Sequence, residues 1–100
     1  MEIVKAIVDK NYRQLYQTDY RKLISVSELR KAIEDYGLQI TMPPDDAFEN
    51  IEIFETKDKD VVKVDFDLWF DNKISDLTLS FAIYYDAPNW KYSIENIHML

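Results

Sequence analysis

Between Val61 and Tyr85 the chain places apolar residues at every second position, and this alternation restricts its fold more than any other feature. Val62, Val64, Phe66, Leu68 and Phe70 form one row, and Leu77, Leu79, Phe81, Ile83 and Tyr85 form a second. A period of two belongs to a strand with one buried and one wet face. The polar stretch from Asp71 to Asp76 then reads as the connection of a long antiparallel hairpin whose two rows share the buried side. Ser75 and Asp76 are suited to bond local backbone there and set the register. A lone hairpin is marginal in water, so the apolar face needs further strands and a covering layer.

The flanking sequence supplies both. "IEIFE" before the hairpin and "WKYSIENIHML" after it, joined through "TKDKD" and "APN", extend it to a four-stranded antiparallel meander. In the last strand Trp90, Tyr92 and Ile94 point one way by alternation, whereas Ile97 and Met99 point the other. A bulge near Glu95–Asn96, or burial of both faces, is therefore expected. "LQITMPPDDAFEN" starts as a short extended run and continues as a crossing loop, because Pro43 and Pro44 suit neither a helix nor a central strand.

Upstream the period becomes helical. Val4, Ile7, Val8, Tyr12 and Leu15 predict a first helix from Ile3 to about Tyr16, weakened in its middle by Asn11 and fraying in "QTDYRK". In "SVSELRKAIEDYG" Ser25 can cap a second helix with Glu28 three residues on, and Gly37 supplies the left-handed stop. Its buried stripe is Leu29, Ala32, Ile33 and Tyr36. Helices followed by strands give an α+β fold: two N-terminal helices packed on a four-stranded antiparallel meander sheet, one domain over residues 1–100.

Composition narrows the function. The chain of 100 residues is 47% hydrophobic, enough for one core, and has no cysteine, which excludes disulfides, thiolate nucleophiles and cysteine-held zinc. Its single glycine is claimed by the helix stop, leaving no glycine-rich phosphate loop. "MEIVKAIVDK" shows neither the basic start and apolar run of a signal peptide nor a membrane span, so a cytoplasmic protein is expected. Nineteen acids against twelve bases give a net charge of −7. Such a field repels phosphates and anionic membranes and attracts basic surfaces, so nucleic acid and membranes are not expected partners.

Three groups of residues invite chemistry. Asp65, Asp67 and Trp69 alternate off the core face, with Asp71 following on the connection. Paired acids of this kind can hold a divalent cation, but neither a calcium-loop spacing nor its glycine is present, so no metal is expected. The same acids around an exposed indole form an anchor for a basic protein, unless Trp69 instead lies flat against Tyr84 or Tyr92. The second group is Asp76 with His98, the only histidine, brought close if the last strand pairs with the start of the one before it. A carboxylate can orient an imidazole as a base, with Ser75 or Thr78 as nucleophile, yet no nucleophile elbow surrounds either. A structural pair is the reading preferred here, and no catalytic residue or cofactor is assigned. The third is the aromatic sheet face as a whole, which also suits a homodimer.

The segments "DLW", "SDLTL" and "IENIHML", together with "LRKAIEDYG" and the following "MPP", resemble a family of small uncharacterised bacterial proteins, a domain of unknown function. The resemblance spans nearly the whole chain and implies no activity. More distantly, helices followed by a meander are similar to the nuclear-transport-factor-like and cystatin-like folds, which host binding proteins, enzymes and interaction modules alike. The leading expectation is a non-enzymatic interaction module of the acidic, immunity-protein type, binding a basic protein through Asp65, Asp67, Trp69 and Asp71. The alternatives are a small-molecule-binding or hydrolytic cone using Asp76 and His98, and a homodimeric structural domain.

Overall fold

A computed structural model describes residues 2–86 and 88–99, the Asn50 side chain aside. Ala87 of the expected "APN" turn and Leu100 of the expected last strand lie outside the described residues. The fold is α+β, with three helices and a five-stranded antiparallel sheet where two helices and four strands were expected.

The extra helix arises because the first helical stripe breaks. Helix α1 spans Glu2–Val8 and α2 spans Tyr12–Thr18. Lys10 takes a left-handed φ of 62°, the Lys10 amide donates to the Ile7 carbonyl at 3.0 Å, and the Asn11 amide donates to the Ala6 carbonyl at 2.8 Å. That pattern is a Schellman stop built on a lysine in place of the usual glycine. Helix α3, Val26–Asp35, has the predicted ends: Ser25 and Glu28 form a reciprocal capping box, and Gly37 turns at φ 85°.

The sheet contains the expected meander of β2 (Glu52–Glu55), β3 (Val61–Phe70), β4 (Lys73–Asp86) and β5 (Asn89–Met99). The added strand, β1 (Ile40–Thr41), pairs with Phe70 and Trp69, and so shares one side of β3 with β2. A 3₁₀ segment, Asp45–Asn50, carries the chain from β1 to β2. The hairpin connection is shorter than the polar stretch suggested. Only Asp71 and Asn72 turn, both at positive φ (49° and 62°), as a type I′ hairpin requires. Ser75 and Asp76 lie inside β4, where the pairing slips between Asp67–Thr78 and Trp69–Ile74. Ser75 fills that slip, its hydroxyl donating to the Leu68 carbonyl at 2.6 Å and accepting from the Leu77 amide at 3.2 Å.

Val64, Phe66, Leu68, Phe70, Leu77, Leu79 and Phe81 are buried beneath Ile3, Val4, Ile7, Leu15, Leu29 and Ile33 of the helices. Cutting a side chain such as Leu68 or Leu79 to alanine removes transfer energy and leaves a cavity, about 2–5 kcal/mol for a site of this kind. Toward the end of β5 the pairing steps from Phe81–Ile94 to Ser80–Asn96, so Glu95 is the bulged residue. The extra residue returns Ile97 to the inner face opposite Leu79, which resolves the irregular spacing of that strand.

The outer edge of β5 is closed by the loop after α2. Asp19, 4% exposed, accepts from the Arg21 amide (3.1 Å), the Lys22 amide (2.9 Å), the Ser93 hydroxyl (2.7 Å) and the Ile94 amide (2.8 Å). The Tyr20 amide donates to the Tyr92 carbonyl at 2.9 Å, and its ring meets Tyr84 edge-on at 5.3 Å. No helix among the described residues is long and apolar enough to cross a membrane.

Candidate functional site

Beneath the 3₁₀ segment the sheet has a gap. On that side of β3, β2 pairs up to Asp65 and β1 begins at Trp69, so Phe66 to Leu68 have no strand neighbour there. A cleft of about 350 Å³ opens at the gap, lined by Asp46, Glu52, Asp65, Asp67, Trp69 and Ile74 among others. No lysine or arginine lines it among the described residues.

Strand register explains how these acids meet. Glu52 stands directly opposite Asp65, and like charges so placed repel. The Ser80 hydroxyl donates to Asp65 Oδ1 at 2.6 Å, and the Thr78 hydroxyl donates to Asp67 Oδ1 at 2.7 Å. Each bond uses one carboxylate oxygen and pins the group in place while leaving its charge uncompensated. Chemically the cleft can receive a cation-bearing side chain, with the half-buried Trp69 ring beside it.

Of the expected anchor, Asp65, Asp67 and Trp69 converge, whereas Asp71 is exposed at the hairpin tip and lines no part of the cleft. Trp69 does not lie against Tyr84 or Tyr92. Its neighbours in register are Thr41 and Ile74, since Tyr84 pairs at the far end of β3 with Val61 and meets Tyr20 edge-on. Tyr92 is turned inward, donating its hydroxyl to the Leu15 carbonyl at 2.7 Å. The Trp69 Nε1 has no hydrogen-bond partner among the described residues. Asp46 and Glu52 were missed: nothing periodic marks a residue in a 3₁₀ turn, and Glu52 joins only through the register of β2.

Asp76 and His98 border one concavity with Tyr36. They do not bond each other: the Tyr36 hydroxyl donates to Asp76 Oδ1 at 3.2 Å, and His98 Nδ1 has no partner among the described residues. The register sets His98 opposite Thr78, completing a row Asp67–Thr78–His98 across three strands. Thr78 spends its hydroxyl proton on Asp67, and Ser75 spends its own on the Leu68 carbonyl. No group of three or more histidines and acids among the described residues is arranged to hold a metal ion.

A family model described as a domain of unknown function (DUF7668) matches residues 4–100. The chain belongs to this family. Its match takes in all three groups of candidate residues, so the acidic cleft, the Tyr36–Asp76–His98 concavity and the aromatic sheet face all fall within the family's domain. No curated protein matches the chain.

Proposed function

We propose that this domain is a non-enzymatic interaction module whose outer acidic cleft binds a basic protein. The observation that carries the reading is Glu52 held directly opposite Asp65, with Asp46 and Asp67 beside them and no base in the lining among the described residues. A lysine or arginine from a partner offsets the like charge of the facing carboxylates. Asp65, Asp67 and Trp69 hold the centre, and Asp71 adds charge to the approach. The net charge of −7 steers a cationic target toward this face. In this reading the protein acts in the bacterial cytoplasm, as an immunity-type protein covering a basic target.

The cone-like alternative gains less support, because Phe66, Leu68, Leu79 and Phe81 fill the middle of the inner face. Titration of a nine-residue lysine peptide by calorimetry tests the proposal. Wild type is expected to bind in a salt-sensitive manner, Asp67→Lys to lose at least about tenfold in affinity, and Trp69→Ala to lose severalfold while remaining folded. Wild-type affinity in both variants would sink the cleft.

A further inference from the structure

On one side the sheet ends at β2, whose far edge pairs with no strand among the described residues. All four of its residues are exposed, Ile53 by 64% and Phe54 by 45%. A bare edge presents unpaired N–H and C=O groups and is a template for another strand. Beyond the edge, both faces are shaped. On the inner side an apolar groove of about 640 Å³ runs between α1, α2 and the sheet, with Ile3, Leu15, Ile51, Ile53 and Trp90 in its walls. On the outer side Glu52 leads into the acidic cleft.

We propose that β2 accepts an extended segment of the basic partner as a sixth strand. Successive residues of an added strand face opposite sides. The segment therefore alternates apolar residues, laid over Ile53 and the groove, with lysines or arginines directed at Glu52 and Asp65. This inference rests on the cleft reading above and adds how the partner is held. Charge selects the occupant: a second copy also carries −7 and is repelled, whereas a basic segment is attracted.

The test uses an end-capped octapeptide alternating valine and lysine, and two derivatives N-methylated on one or the other set of alternate amides. An added strand bonds through only one set. One derivative is therefore expected to lose at least about tenfold in affinity and the other to bind like the parent, while β2 amides gain protection from hydrogen exchange. Equal binding by both derivatives, with Asp67→Lys still weakening the parent peptide, overturns strand addition and leaves the cleft standing. Sensitivity to N-methylation with no effect of Asp67→Lys overturns the cleft and keeps the edge. No binding of the peptide, or a stable homodimer in light scattering whose β2 amides are already protected, overturns the proposal.

Discussion

Along β5 the sheet's edge is met by a buried carboxylate and a backbone bond from Tyr20, whereas along β2 the corresponding row of groups faces outward between Glu52 and Glu55. Both strands flank the same hairpin, and both edges would invite pairing with another chain if left open. One is covered over Tyr92–Ile94 by the protein's own loop and the other carries exposed Ile53 and Phe54. The difference teaches that edge closure here is local and built from specific polar contacts, so the two sides can be perturbed separately.

The largest effect is expected at the sealed edge. Asp19→Ala strips the acceptor from the Arg21, Lys22 and Ile94 amides and from the Ser93 hydroxyl, which should cost about 3 kcal/mol in urea denaturation. A loss below about 1 kcal/mol would show the seal to be ornamental. A smaller change is expected at Tyr92, whose hydroxyl bonds both Leu15 and Thr18. Tyr92→Phe should cost about 1 kcal/mol near neutral pH. Burial pushes the Tyr92 phenol above its ordinary 10.0, the bond to Thr18 opposing and Asp19 adding to the rise. The folded state thus holds this proton more tightly than the unfolded chain. Its contribution is complete below about pH 10 and is lost as pH rises through the folded value, a decline that Tyr92→Phe should flatten in denaturation midpoints measured on either side of pH 10. The least effect is expected at the bare edge, where Phe54→Thr should shift stability by no more than about 0.5 kcal/mol in the same assay. A larger loss there would show that β2 is anchored by more than its pairing with β3.

What could be read from the residues follows the range over which each signal acts. Helix α3 was legible because Ser25, Glu28 and Gly37 are near neighbours in sequence, and the hairpin because alternation needs only one strand at a time. The break at Lys10 was marked only by Asn11 beside it, since Ile7, Tyr12 and Leu15 keep to the buried side across it while the backbone turns left-handed. Strand β1 is too short to show a period. Asp65, Asp67 and Trp69 stood out because they share a strand face, but Glu52 and Asp46 reach the cleft only by cross-strand register and by the path of a 3₁₀ turn. The placement of Trp69 opposite Ile74 depends on the slip around Ser75, which no alternation pattern reveals.

The Asp19 contacts also bear on time. They join residues 74 and 75 positions apart, whereas the central hairpin closes through the two-residue turn at Asp71–Asn72. Bringing such distant segments together costs about 4 kcal/mol of chain entropy, so the hairpin should form first and the loop dock afterwards. Interactions absent from the transition state act mainly on escape from the native state. Asp19 would then govern how long a folded molecule lasts, with little influence on how quickly it is reached.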